Sequence, residues 1–453
     1  MSTVSPSRVS RRKILGGLGL IAASSVAGGL IASCGAPAAP TAAPKPTEAP
    51  KQAAPAAAPT TAPTAAPTAA AKPTEAPKPT EAPKAAAEPT KPAAAPTAAS
   101  SSGAGISLKV GLITPLTGDV KTFGESTRNG FLLAVEEAKA KKIEITPVIA
   151  DDRNDPTEGS NAATKLTQQD KVKAIVGSVS SKVSIPVSEV AQSAKVVMIT
   201  PTSTNVAVTV DAGKRKDYVF RACFIDPFQG TVMAKFALQD LKAKKAAILF
   251  DKSNAYTVGL ADNFKLAFTA GGGTVNIQDS YGKDDVDFSS LLTKIAADKP
   301  DVLFLPDYYN KVNLIAKQAR DKGVTAVFLG GDGWDSSDLD RKAVDGGYYS
   351  NHYSPDDKRP EVQDWVKKYQ AKYNSVPDAL ATLAYDATVL LTAAIEKAAS
   401  DDSTKIRDAL AALKDFKVVS GSVSFDKDGN PVKSAVVLNV KGGKDVYAAT
   451  VNP

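Results

Sequence analysis

Two hydroxyl-rich clusters hold the residues best suited to chemistry. The first is Ser178, Ser180 and Ser181, and the second is Thr200, Thr202, Ser203 and Thr204. Further along come Tyr256, then Asp307, Tyr308 and Tyr309, and then Asp332 in the run Gly330-Gly331-Asp332-Gly333-Trp334. Hydroxyls and the free amides of a helix N-terminus take a carboxylate. An acid takes an ammonium, and aromatic rings wall a small cavity. Together these residue types make a clamp for a zwitterion.

The same inventory is poor in catalytic groups. The chain has one histidine, His352, and two cysteines, Cys34 and Cys223. A histidine-based metal site or triad is therefore close to excluded, there is no activated nucleophile, and no glycine run has the phosphate-loop pattern. Gly271-Gly272-Gly273 reads as the end of a helix and the start of a strand. The expectation is a binder that is not an enzyme and uses neither cofactor nor metal. His352 reads as a surface or partly buried imidazole beside Tyr348, Tyr349 and Tyr353, and Cys223, in an apolar run, as a small buried hydrophobe. Each candidate also has a plainer reading. Ser180 and Ser181 suit helix N-caps, Asp332 between glycines suits a turn, and one of Tyr308 and Tyr309 should pack inward. Trp334 suits the core or a cavity rim, and Phe123 reads as a loop aromatic.

The candidates share a position: each set follows a short apolar segment. Segments at 108–113, 143–149, 174–177 and 196–199 read as strands, and the beat resumes at 246–250, 275–279, 301–305 and 326–329. Helical stretches separate them, including residues 125–141 and 157–169, and two longer ones follow at 360–373 and 379–398 before a hairpin or strand tail at 418–450. Apolar strands alternating with helices predict an α/β fold with parallel sheets covered on both faces. Ligands in such sheets collect beyond the carboxyl ends of the strands, where the hydroxyls, tyrosines and Asp332 stand. The 348 residues from Ile106 onward exceed one comfortable core, so two lobes are expected.

The first 105 residues are different. Arg8, Arg11, Arg12 and Lys13 precede a Gly/Ala/Leu-rich run that ends Ile31-Ala32-Ser33-Cys34. A basic start, a short apolar stretch and small residues before a cut describe a signal peptide over 1–34, and the arginine pair resembles a twin-arginine signal. Ile-Ala-Ser-Cys resembles a lipobox, which implies a lipid anchor on Cys34. Residues 35–105 are almost wholly Ala, Pro, Thr, Lys and Glu, and cannot bury a core. They read as a disordered spacer reaching between roughly 50 Å as a coil and roughly 200 Å extended. Of the net charge of +7, +4 lies in residues 1–34 and +2 in 35–105. The remainder is nearly neutral and offers nucleic acid no basic surface.

The folded part resembles the type I periplasmic binding proteins, specifically the branched-chain amino acid (leucine/isoleucine/valine) binding family of ABC importers. The resemblance runs from about Ile106 to Val451. It is carried by Gly111-Leu112-Ile113-Thr114-Pro115-Leu116-Thr117-Gly118, by Ile175-Val176-Gly177-Ser178-Val179-Ser180-Ser181 and by Met198-Ile199-Thr200-Pro201-Thr202-Ser203-Thr204-Asn205. Asp251-Lys252 leading to Tyr256, and Gly330-Gly331-Asp332-Gly333-Trp334-Asp335, continue it in order.

The resemblance implies two Rossmann-like lobes joined by a multi-strand hinge, residues 106–224 plus 354–425 and residues 225–353 plus 426–453. It implies a monomer, an amino-acid ligand and ABC permease subunits as partners. Ser181, with the Ser180 backbone, would bind the ligand carboxylate, and Thr204 with the Thr202 backbone would share the carboxylate and ammonium contacts. Asp332 and Tyr308 would close over the ammonium, Tyr256 would cover the side chain, and Phe123 stands where the family often has another aromatic. The chain departs from the family twice. Asp332 replaces a more usual glutamate, and Thr202 and Ser203 replace small apolar residues, which leaves room for a more polar ligand. The same fold binding a small amide, urea-like compound or aromatic acid, or serving a separate receptor as a sensor, stays open.

Overall fold

The computed structural model describes residues 105–453. The signal-peptide and lipobox readings of 1–34, and all but Gly105 of the spacer, lie outside the described residues. Strands β1 (Ile106–Thr114), β2 (Ile143–Asp151), β3 (Ala174–Gly177) and β4 (Val197–Thr200) come first. A small ribbon of β5 (Val210–Asp211) and β6 (Lys214–Arg215) precedes β7 (Val219–Arg221). Five of these form a parallel sheet in the order β2-β1-β3-β4-β7. Helices α1 (Lys121–Ala138), α2 (Pro156–Gln168) and α3 (Ser181–Ala194) link its first strands.

Burial on both faces explains why these strands are apolar throughout. In β3, Ala174 and Val176 join a core with Phe131 of α1, while Ile175 between them joins another with Val183 and Val187 of α3. Successive side chains in a strand point to opposite faces, so a sheet covered twice leaves no polar position. The connecting helices begin where local chemistry directs. At α2, Asp155 Oδ1 accepts from the amides of Thr157 (2.8 Å) and Glu158 (3.1 Å), with Pro156 in the first turn.

The chain continues through α4 (Asp226–Gln239), β8 (Lys245–Asp251), α5 (Ala255–Ala270), β9 (Thr274–Tyr281) and α6 (Ser289–Asp298). It then forms β10 (Val302–Phe304), α7 (Tyr309–Asp321), β11 (Val327–Gly330) and β12 (Tyr348–Asn351). Helices α8 (Pro360–Tyr373), α9 (Ala379–Ala398) and α10 (Ser403–Ala411) follow, with a hairpin of β13 (Phe416–Val418) and β14 (Gly421–Val423). Strands β15 (Ala435–Lys441) and β16 (Lys444–Val451) end the chain. The second sheet runs β16-β15-β12-β11-β10-β8-β9, parallel from β9 to β12 and antiparallel at β15 and β16.

Helix α9 is long and apolar enough to cross a membrane, yet its Leu383, Leu390 and Leu391 pack into the first sheet's core. The chain therefore passes between the two sheets three times: at residues 222–225, after β12, and between β14 and β15. The α/β expectation holds, and α8 and α9 have the bounds read from the sequence. Strand β12 was not anticipated. Its Ser350 and Asn351 are polar because they serve buried hydrogen bonds described below. Helix α1 starts earlier than expected, so Phe123 is a buried residue of its first turn and not a loop aromatic.

Candidate binding site

The turn from β3 to α3 builds the first wall. Gly177 has φ +124°, and a Cβ there would stand 2.1 Å from the Ile113 carbonyl oxygen, so only glycine fits. Behind it, the Ser178 hydroxyl donates to the buried carboxyl of Asp152, which burial pushes up to about 6. Ser180 occupies the N-cap position of α3, but its hydroxyl donates to Asn154 Oδ1 (2.6 Å) instead of capping the helix. Ser181 Oγ accepts from the Asn205 amide (3.2 Å) and borders a cavity at the start of the helix. Thr202 borders the same cavity, with its hydroxyl donating to the Val179 carbonyl oxygen (2.9 Å).

The second wall centres on Asp332, at the end of β11. Asp332 Oδ1 accepts from the Tyr256 hydroxyl (2.8 Å) and from Gln229 Nε2 (2.8 Å), and its Oδ2 lies 3.0 Å from His352 Nε2. Gln229 also donates to the Ser350 hydroxyl (3.0 Å), and the Gly333 amide donates to the Tyr256 hydroxyl (3.0 Å). The flanking glycines permit this crowding, since a Cβ on Gly331 would sit 2.6 Å from the Tyr256 oxygen. Asn254 starts α5 by accepting from the Tyr256 amide (3.2 Å), which fixes where that ring begins.

Aromatic rings close the remaining side. Tyr256 and Tyr308 stack at 5.2 Å and 10°, and Phe123 meets Tyr308 edge-on at 5.6 Å. Tyr308 accordingly faces the cavity. Tyr309 turns to Phe123 and donates to the Asp119 carbonyl oxygen (3.1 Å). Asp307 lies behind, taking hydrogen bonds from the Tyr281 hydroxyl and the Tyr308 amide, and burial raises its carboxyl to about 7. Trp334 is fully buried and donates to the Leu305 carbonyl oxygen (3.0 Å), as the core reading of that residue expects.

The cavity thus brings together Phe123, Ser181 and Thr202 with Tyr256, Tyr308 and Asp332. Ser180 and Thr204 are buried nearby but do not line it. Thr204 lies beside the Asp226 carboxyl, which burial pushes up to about 7 against the lowering pull of the Thr204 hydroxyl. Thr202 and Ser203 spend their hydroxyls on backbone carbonyl oxygens, so neither presents a free donor in support of a more polar ligand. At about 20 Å³ the space holds about one water. The two walls are tied by a hydrogen bond between the Thr122 and Ser336 hydroxyls (2.9 Å) and one from Asn205 Nδ2 to the Ala255 carbonyl oxygen (2.8 Å). Tyr308 also borders a larger cavity, about 290 Å³, whose wall carries both signs of charge, including Arg153, Lys182, Asp251 and Lys311. A larger concavity still, about 700 Å³, lies elsewhere, over the ends of α4 and α5, and gathers lysines around Leu238 with no convergent acid or aromatic. We assign the site by its chemistry and not by its size.

The structure corrects the reading of His352. Its ring is buried, stacks on Phe224 at 3.8 Å and meets Asp332. Gln229 was missed as well. A glutamine inside the largely buried helix α4 carries no signal of its own in the sequence.

A profile described as Periplasmic binding protein matches residues 107–445. The chain belongs to the periplasmic binding protein family. It is 36% identical over 350 residues to the Leu/Ile/Val-binding protein BraC3 of Rhizobium johnstonii, covering 75% of this chain and 94% of that protein. Among solved structures it resembles a leucine binding protein, LivK, of Thermotoga maritima, with 37% identity and a TM-score of 0.72 over 76% of this chain and 99% of that one. It also resembles LivJ of Streptococcus pneumoniae, a branched-chain amino acid transporter substrate binding protein in complex with isoleucine. The identity there is 30% and the TM-score 0.72, covering 77% of this chain and all of that one. Family membership makes this an extracytoplasmic substrate-binding protein of the type I fold.

Proposed function

We propose that the protein is the substrate-binding lipoprotein of an ABC importer, and that it captures an amino acid, branched-chain or related, between two closing lobes. One observation carries this reading: a helix N-terminus with Ser181 faces the Asp332 carboxylate across a pocket walled by Phe123, Tyr256 and Tyr308. The carboxylate of the ligand takes the Ser181 hydroxyl and the Ser180 backbone at the start of α3, and Thr204 with the Thr202 backbone shares the carboxylate and ammonium contacts from that side. The ammonium takes Asp332, and the side chain takes the aromatic wall. The pocket holds about one water, so an amino acid enters only when the walls part. Residues 106–224 plus 354–425 and residues 225–353 plus 426–453 are the lobes that open, and the three connections bend.

In this reading residues 1–34 direct export, Cys34 carries the lipid, and residues 35–105 hold the lobes away from the membrane. There the loaded form meets the permease subunits as a monomer, and the protein performs no reaction on what it binds. A thermal-shift screen against the amino acids tests the assignment on protein refolded to strip bound ligand. A large upward shift with leucine, isoleucine or valine is expected. No shift with any amino acid, but one with an aromatic acid or a small amide, would replace the substrate.

A further inference from the structure

His352 stands immediately after β12, where the chain leaves the second sheet, and its imidazole stacks on Phe224 of the 222–225 connection at 3.8 Å and 25°. Two of the three connections between the sheets thus meet through these rings. The same imidazole points Nε2 at Asp332 Oδ2 (3.0 Å), while its Nδ1 is buried without a partner. A carboxylate only accepts, so Nε2 carries the proton. Asp332 Oδ1 is already filled by Tyr256 and Gln229, which leaves the Oδ2 side as the one whose orientation depends on His352.

We infer that His352 is the positioning residue for Asp332, holding the ligand-binding carboxylate in register with the connections that bend. The inference rests on the reading of Asp332 as the ammonium partner. A neutral ring that donates to Oδ2 leaves the negative charge of Asp332 for the ligand. A protonated ring pairs with Asp332 and competes with the ammonium. Burial lowers the affinity of His352 for a proton, Lys433 adds to that, and Asp332 opposes both. The charged groups around the pair are Asp332 itself, Lys433 from the third connection and Asp226 from α4. The ring is neutral at pH 7.5, and binding should weaken as pH falls through and below the ordinary imidazole range.

The test uses the full chain, L-leucine and calorimetry between pH 5 and 7.5, on wild type, His352→Phe, His352→Gln and Asp332→Ala. Phenylalanine keeps the stack and removes the donor, so affinity at pH 7.5 should fall about tenfold. Glutamine restores a donor without a titrating group, so it should bind more tightly than the phenylalanine variant. Wild type should lose affinity by up to about tenfold per pH unit below the imidazole pKa, and the glutamine variant should keep only the shallower dependence that Asp226, raised to about 7, contributes. Because His352 is the chain's one histidine, tag-free wild type gives a single imidazole signal by nitrogen NMR. That signal should report the Nε2–H tautomer and shift on adding leucine, a readout independent of whether the variants fold. Wild-type affinity in His352→Phe, an unchanged pH profile in His352→Gln, or an Nδ1–H tautomer overturns the inference. If Asp332→Ala loses binding in the same experiment, the site reading survives that failure. If Asp332→Ala binds normally, the site reading falls and takes this inference with it.

Discussion

Replacing Asp332 by alanine should weaken L-leucine binding by about 10- to 150-fold. The figure follows from the geometry. Asp332 is the one carboxylate on the wall of the cavity, so an ammonium there loses its only charged acceptor. A hydrogen bond to a charged group contributes about 1.5–3 kcal/mol, and about 1.4 kcal/mol is a decade in affinity. The substitution also strips partners from Gln229 Nε2, the Tyr256 hydroxyl and His352 Nε2. The vacated carboxylate leaves space for water beside these donors, which limits the cost to the fold. Calorimetry with leucine and with 4-methylpentanoate, the same acid without its amino group, separates the two effects. Only leucine should lose affinity on substitution. Equal losses for both compounds would mean that Asp332 acts by holding the pocket together, and no loss for leucine would remove it from the site.

Three further outcomes are expected. Thr122→Val and Ser336→Ala each delete the hydroxyl pair joining the two walls, a net loss of about 0.5–1.5 kcal/mol in the closed form. Leucine affinity should therefore fall roughly 2- to 10-fold in either variant, with no further loss in the double variant by calorimetry. Stability should decline as pH rises from about 4 to about 7. Burial raises Asp307 and Asp226 to about 7 and Asp152 to about 6, so over this window the folded chain keeps protons that the unfolded chain has lost. The unliganded protein should melt several degrees higher at pH 5.5 than at pH 8, and Asp307→Asn should narrow that gap in calorimetric scans. Cys34→Ser should release the protein from the membrane fraction into the soluble fraction on cell fractionation, since the lipid is its proposed anchor.

Much of this was legible in the sequence, because parallel sheets announce themselves. Ala174-Ile175-Val176 can be apolar at every position only if both faces are covered, and the cores found on either side of β3 are those two covers. The end of β11 was legible for a similar reason: an acid between glycines after an apolar strand offers backbone room and a charge. The back of the site was harder to read. Tyr348-Tyr349-Ser350-Asn351 looks unlike a strand because Ser350 and Asn351 point polar groups at Gln229 and Asp335. His352 looked superficial because local sequence does not reveal that residues 222–225 return to stack on it. Ser180 and Thr204 were read from position along the chain, and both are buried just off the cavity that Ser181 and Thr202 border.

The proposed division of a ligand's two charges between the two walls has an energetic consequence. In that proposal the start of α3 takes the carboxylate and Asp332 on the other wall takes the ammonium, so an open protein binds with only part of its contacts and closure supplies the rest. The apparent affinity is then the closed-state affinity reduced by the fraction of protein able to close. That fraction is set partly by contacts that never touch the ligand: the Thr122–Ser336 pair, the Tyr309–Asp119 bond and the Asn205–Ala255 bond. Each is worth little alone, which suits a protein that must also open. Tighter cross-wall bonding would raise affinity and slow release together, so selection for delivery should keep these bonds few and neutral. Asp332 meets His352, Tyr256 and Gln229 within one wall, where closing is not needed to form those bonds.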